Sequence, residues 1–176
     1  EIATRTTLER AERSDDGWRA TLSDGRTVTA RMIVNAAGPW VAELFRRLGV
    51  KAKNGVRLVK GSHIVVRRLF DHDRAYFFQN KDGRIIFAIP YERDFTLIGT
   101  TDQEFSGDPR GVAISEEETQ YLLAAATEYF ERPVTAADII WTYAGVRPLF
   151  NDHKSKAQEA TRDYVLTTEG DAASGA

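Results

Sequence analysis

Cysteine is absent from these 176 residues. Disulfides, thiolate nucleophiles and cysteine-based metal sites are therefore excluded. A basic excess is missing too: 24 Lys and Arg stand against 26 Asp and Glu, for a formal net charge of −2. Such a chain presents no overall positive field, and no nucleic-acid partner is expected. The three histidines, His63, His72 and His153, are too scattered to show metal-ligand spacing. No apolar run approaches the ~20 residues that a membrane-spanning helix needs. No internal repeat is found. What is present is a hydrophobic fraction of 42% and a charged fraction of 28%, the balance of a globular protein. The length suits one domain or one and a half. The ends read as cuts through a longer protein, with Glu1 in place of a Met and a small, polar tail from Gly170 to Ala176.

The most informative stretch is Ile33-Val34-Asn35-Ala36-Ala37-Gly38-Pro39-Trp40. Arg31 to Val34 reads as a buried strand, with no polar alternation. Gly38 has access to backbone shapes closed to other residues, and Pro39 suits a first helical position. Val41, Leu44, Phe45 and Leu48 then follow at helical spacing, with Gly49 as a cap. A strand, a small-residue turn and a helix start let main-chain N–H groups approach an anionic or flat ligand. The same pattern also fits an ordinary strand-to-helix connection.

Before it, residues 1–30 read as a β-meander with turns at Asp15-Asp16-Gly17 and Ser23-Asp24-Gly25. Lys51 to Gly55 is a polar link and a candidate domain boundary. Beyond it the pattern is mostly strand. Val56 to Val66 is strand-like, interrupted by Lys60-Gly61-Ser62-His63. Asn80-Lys81-Asp82-Gly83 is a hairpin turn between Ala75–Gln79 and Arg84–Ile89, and the run Tyr76-Phe77-Phe78 reads as core. Phe95 to Gly99 is a further strand. Ser115 with Glu118 forms a capping box that opens a helix ended by Pro133. Glu116 to Glu118 read as no more than an acidic helix start. Ile139 to Tyr143 makes another strand leading to Ala144-Gly145-Val146-Arg147-Pro148-Leu149, and Arg162 to Leu166 a last strand candidate.

Several residues have both a chemical and a structural reading. Arg147, on a shaped turn between Gly145 and Pro148, suits a carboxylate or phosphate, or is a structural arginine paired with an acid. Arg162 reads as a second anion ligand or as a local partner of Asp163. His63 reads as a base in a cleft or as a hydrogen-bonded core histidine. Gly99-Thr100-Thr101-Asp102 reads as a turn whose side chains bond the backbone.

Taken in order, these pieces resemble one family. Arg31–Val41, Arg57–Val66, Ile98–Asp102, Trp141–Leu149 and Thr161–Tyr164 look like the middle of the aerobic, quinone-linked, FAD-dependent glycerol-3-phosphate dehydrogenases. The Asn-Ala-Ala-Gly piece is shared with many flavoproteins of the D-amino-acid-oxidase superfamily. Lys60-Gly61-Ser62-His63 and Gly145-Val146-Arg147-Pro148-Leu149 together are more specific. The resemblance implies an α+β chain cut from an α/β parent. Residues 1–50 would close an FAD-binding domain with a mixed sheet and a β-meander. Residues 55–140 would form a substrate domain on an antiparallel sheet flanked by helices, and 141–176 would return toward the flavin.

By the same resemblance the parent oxidises sn-glycerol 3-phosphate to dihydroxyacetone phosphate, with FAD as cofactor and quinone as electron acceptor. It would be cytoplasmic and peripherally attached to the membrane. Without its flavin and flanking strands, this chain on its own is expected to expose apolar surface and to show some homodimerisation. Ala36, Ala37 and Gly38 match the small-residue turn against FAD. His63 matches a candidate proton acceptor, Arg147 an arginine between substrate and flavin, and Arg162 a phosphate ligand; no metal is implied. The family's Gly-x-Gly-x-x-Gly fingerprint and its later Gly-Gly-Lys segment do not occur in these residues. This chain alone is therefore expected to hold no flavin and to be inactive. Two alternatives are an amine or 2-hydroxy acid oxidase of the same superfamily, with a carboxylate against Arg147, and a non-enzymatic binding module.

Overall fold

The computed structural model describes residues 1–50, 55–152 and 160–166. The expected link at 51–54, His153 and the tail from 167 lie outside the described residues. The chain divides into two compact units, Glu1–Val56 and Arg57–Ala176.

The first unit opens with the expected meander. Strands β1 (Leu8–Ser14), β2 (Gly17–Leu22) and β3 (Thr27–Ala30) pair antiparallel in that order. Gly17 sits at φ +131, where a Cβ would meet the Ala30 carbonyl, so this turn requires glycine. After β3 the structure departs from the sequence reading. Residues 31–37 form no strand, and Met32 and Val34 are exposed. An apolar run becomes a strand only when a neighbour supplies the ladder, and none among the described residues pairs with it. Asn35 shapes the turn instead: its side-chain amide donates to the Val41 carbonyl at 2.9 Å and its Oδ1 accepts from the Ala37 N–H at 3.3 Å. A short 3₁₀ turn, Gly38–Trp40, leads into helix α1 (Val41–Arg47). Gly49, at φ +68, closes α1 in a Schellman arrangement, with Gly49 and Val50 N–H groups on the Arg46 and Phe45 carbonyls.

The second unit is a sheet with a helix on one face. Strands β4 (Val56–Arg67), β5 (Tyr76–Gln79), β6 (Ile85–Tyr91) and β7 (Phe95–Gly99) run in the spatial order β5-β6-β7-β4. Strands β8 (Gln103–Glu104) and β9 (Ile139–Phe150) also pair with β4. Helix α2 (Glu116–Tyr129) starts at the expected capping box and stops before Pro133. The two-residue alternation of the strands divides the sheet. Ile64, Val66, Ile86, Ala88 and Ile98 face α2 and pack on Leu122, Leu123, Ala125 and Ala126 to form the core. Each fully buried Ile or Leu there contributes ~1.5–3 kcal/mol relative to exposure. The opposite face carries Gly61, His63, Leu97, Gly99, Phe77 and Phe87.

Four further readings are corrected. Lys60 to His63 do not interrupt β4, which runs unbroken through Gly61 and Ser62. Arg147 lies within β9 and not on a turn after it. Arg162 to Leu166 form no strand, and Tyr164 and Leu166 are exposed. In the aromatic run, Phe78 packs against the core, whereas Phe77 is 58% exposed on the opposite face. Alternation places these two neighbours on different sides of the sheet.

Candidate active site

The site residues gather around a fault in the ladder. His63 pairs with Gly99, whereas Lys60 pairs with Gln103, so the register slips by one residue between β7 and β8. Thr100, Thr101 and Asp102 occupy this β-bulge, a feature that re-aims side chains. The Thr101 hydroxyl accepts from the Ser62 N–H at 2.9 Å. Thr100 spends its single hydroxyl proton on the Thr101 carbonyl at 3.0 Å, which leaves its oxygen as an acceptor. Arg147 uses that acceptor, donating from Nη2 at 2.9 Å. Its other terminal nitrogen, Nη1, donates to Asp102 Oδ1 at 2.6 Å.

Two glycines make room for the chemistry. A Cβ on Gly61 would collide with the Arg147 guanidinium and approach the Thr100 hydroxyl to 2.6 Å. A Cβ on Gly99 would strike the His63 ring. Arg147 thus lies across Gly61 and His63 across Gly99, on one face of the sheet. Gly61 and His63 are two residues apart on β4, a spacing that puts neighbours side by side.

The His63 ring also stacks on Tyr143 of β9, with centroids 4.8 Å apart and planes 6° from parallel. Burial, followed by the positive charge of Arg147, lowers the His63 pKa below its ordinary 6.5. His63 Nδ1 is buried without a hydrogen-bond partner among the described residues. An imidazolium needs partners for two N–H groups, so this too favours the neutral ring. A core histidine held by a hydrogen bond at Nδ1 does not match this ring among the described residues. Burial and the nearby Tyr91 raise the Tyr143 pKa, so the phenol stays protonated at neutral pH.

Arg162 joins from a different segment. Its Nη2 donates to Asp102 Oδ2 at 2.8 Å, so one carboxylate bridges both arginines. By its sequence Asp102 fits a turn residue bonding the backbone; in the structure it is the hub of the cluster. The adjacent Asp163 was the expected local partner of Arg162, and the bridge goes to a residue 60 positions away instead. Alternation could not reveal this, because the bulge breaks it.

The opposite face of the same strands is held by Glu118. Its side chain is fully buried. It accepts from Ser62 Oγ at 2.9 Å, Thr101 Oγ at 2.7 Å and the Ser115 N–H at 2.8 Å, and pairs with Lys60 Nζ at 2.7 Å. Burial pushes its pKa up, but Lys60 and these donors outweigh burial and leave the carboxyl below the usual range. Ser62 and Thr101 are neighbours of His63 and Asp102, so this network fixes the backbone beneath the site. The acidic helix start is therefore a tether between α2 and the sheet as well.

Ala36, Ala37 and Gly38 belong to the first unit, and His63, Arg147 and Arg162 to the second. Gly38 has φ +55, and a Cβ there would meet nothing within 4 Å. Small side chains and open space fit one contact edge of a large flat cofactor. They do not form a pyrophosphate cradle, for which no glycine-rich fingerprint is present.

Comparison with known proteins decides the lineage. The family model for FAD dependent oxidoreductases matches residues 1–171. The chain belongs to that family. It is 49% identical over 171 residues to a glycerol-3-phosphate dehydrogenase of Pseudomonas aeruginosa, covering 94% of this chain and 33% of the relative. It is 42% identical over 171 residues to the D-erythritol 1-phosphate dehydrogenase of Brucella abortus, covering 94% and 34%. Among solved structures, the FAD complex of the Bacillus halodurans glycerol-3-phosphate dehydrogenase superposes with a TM-score of 0.75 at 32% identity, covering 86% of this chain and 32% of the other. This FAD dependent oxidoreductase chain thus spans about a third of the length of the curated relatives it matches. All three relatives are named for phosphorylated polyols. The reading as an amine or 2-hydroxy acid oxidase, or as a non-enzymatic module, is not favoured.

Proposed function

We propose that this chain is the substrate-binding part, with one flavin-contacting edge, of an FAD-dependent dehydrogenase acting on sn-glycerol 3-phosphate. The observation that carries the reading is the convergence of Arg147 and Arg162 on Asp102, with His63 within reach of the Arg147 charge on the same sheet face, in a chain 49% identical to a glycerol-3-phosphate dehydrogenase. Residues 1–50 would complete the flavin domain, 55–140 the substrate domain, and 141–176 would return toward the flavin. Ala36, Ala37 and Gly38 would line the cofactor. FAD, when bound, supplies the acceptor for the hydride that leaves the carbinol carbon.

The chain's own residues do the rest. Neutral His63 takes the proton of the substrate hydroxyl as the carbonyl forms, as a general base. Arg147 holds the substrate, sharing its phosphate with Arg162 across Asp102. Arg162 binds the phosphate through charge-assisted hydrogen bonds. Dihydroxyacetone phosphate leaves, and the whole protein, cytoplasmic and peripherally attached to the membrane, passes electrons to quinone.

A second substrate is carried by the Brucella relative, named for D-erythritol 1-phosphate. Both substrates present a phosphate ester and a secondary alcohol. The test is anaerobic bleaching of the flavin in the full-length protein by a panel of substrates. Glycerol 3-phosphate is expected to bleach it fastest. Bleaching by glycine or lactate, and not by either phosphate, would refute the reading.

A further inference from the structure

We propose that Asp102 is a positioning residue for phosphate recognition: its carboxylate sets Arg147 and Arg162 as one anion-binding pair. The proposal rests on the reading above that the substrate is a polyol phosphate. Three separate segments converge on this carboxylate. Asp102 comes from the bulge after β7, Arg147 from β9, and Arg162 from the segment after residue 160. Each carboxylate oxygen takes a different arginine, Oδ1 at 2.6 Å and Oδ2 at 2.8 Å. The Asp102 side chain is only 14% exposed, whereas those of Arg147 and Arg162 are 35% and 47% exposed. The acid is therefore at the back of the cluster and the guanidinium groups at its front. An incoming anion meets nitrogen, not carboxylate.

The charges support the same arrangement. Two guanidinium groups brought together repel, and a carboxylate between them removes that cost. The trio keeps one net positive charge, enough to attract a phosphate dianion. Arg147 is further fixed by Thr100 and by the space over Gly61. Arg162 lies outside the described strands, and besides donating Nη1 to the Ala160 carbonyl at 3.4 Å it is tied through Asp102 to the bulge beside β4.

A competing view makes the opposite prediction. If Asp102 acted on phosphate only as a nearby negative charge, removing it would tighten binding. The sign of the effect thus decides between positioning and repulsion.

The experiment uses the full-length flavoprotein with Asp102→Asn. The amide keeps one acceptor oxygen but turns an NH₂ group toward the other arginine, donor against donor. The KM for sn-glycerol 3-phosphate and the Ki of inorganic phosphate as a competitive inhibitor should both rise about ten-fold or more, the loss of roughly one charged hydrogen bond. The preference for glycerol 3-phosphate over glycerol should fall by a similar factor, which a general loss of structure would not produce. An unchanged or lower Ki overturns the proposal. If the amide variant fails to bind flavin, Asp102→Glu takes its place: a smaller rise in Ki is expected, and a wild-type Ki overturns the proposal. A wild-type protein that turns over no polyol phosphate overturns the functional reading itself. Normal wild-type turnover with an unaltered Asp102→Asn variant overturns this inference alone.

Discussion

The His63 imidazole lies flat against the Tyr143 ring, 4.8 Å between centroids and 6° from parallel. Burial, and then the positive charge of Arg147, keep the histidine neutral. Its titration midpoint, followed by NMR of labelled histidine in the full-length protein, should fall below its ordinary ~6.5. The folded protein holds this proton less tightly than the unfolded chain. His63 therefore lowers stability as pH drops through about 6.5, and the loss levels off below the folded midpoint. A midpoint above 6.5 would contradict the assignment. His63→Asn should lower kcat by ~10²–10⁴-fold, the usual worth of a general base.

Glu118 predicts a stability effect. Glu118→Ala removes the carboxylate paired with Lys60, leaving that ammonium its Ala113 carbonyl contact, and takes the acceptor from the Ser62 and Thr101 hydroxyls. Removing one partner of a buried ion pair costs ~3–5 kcal/mol, measured by denaturant unfolding. The Glu118 carboxyl titrates below its ordinary 4.5 in the folded state. Its stabilisation is therefore present above that value and is lost as pH falls through it toward the folded midpoint. A variant as stable as wild type would show that the tether is dispensable.

The two glycines give a local test. Gly61→Ala should displace Arg147, and Gly99→Ala should displace His63. Overpacking of this kind costs ~1–3 kcal/mol, and a comparable loss of transition-state binding is ~10–100-fold in kcat/KM. Gly61→Ala is expected to act mainly on KM and Gly99→Ala mainly on kcat. Wild-type kinetics in both would mean that the side chains need not lie where they are found.

The 176-residue chain expressed alone should be colourless after desalting, because it carries no glycine-rich pyrophosphate fingerprint. Retained flavin absorbance would show that the Ala36–Gly38 edge and its surroundings bind the cofactor unaided.

Local signals in the sequence were legible where local chemistry sets the structure. The meander turns, the Asn80–Gly83 hairpin and the Ser115–Glu118 capping box all lie where their residues placed them. Signals that depend on distant partners were not. The apolar run at 31–34 resembles a buried strand, yet a strand exists only with a neighbour. Gly145 and Pro148 suggested a turn around Arg147, but pairing with β4 keeps this segment extended. His63, Arg147 and Arg162 were identified through their motifs, whereas Asp102 was hidden by the bulge that aims it. Glu118 was recognised as a cap and missed as a buried anchor, because its partners are 17, 56 and 58 positions away.

The central claim is that two arginines held by one carboxylate read a phosphate beside a neutral histidine. The most direct measurement is kcat/KM of the full-length flavoprotein for sn-glycerol 3-phosphate against glycerol, in wild type and Arg162→Ala. Loss of charged hydrogen bonds worth ~1.5–3 kcal/mol each should cut the preference for the phosphate by roughly 10–100-fold or more. An Arg162→Ala protein that folds, binds FAD and keeps the wild-type preference would contradict the account.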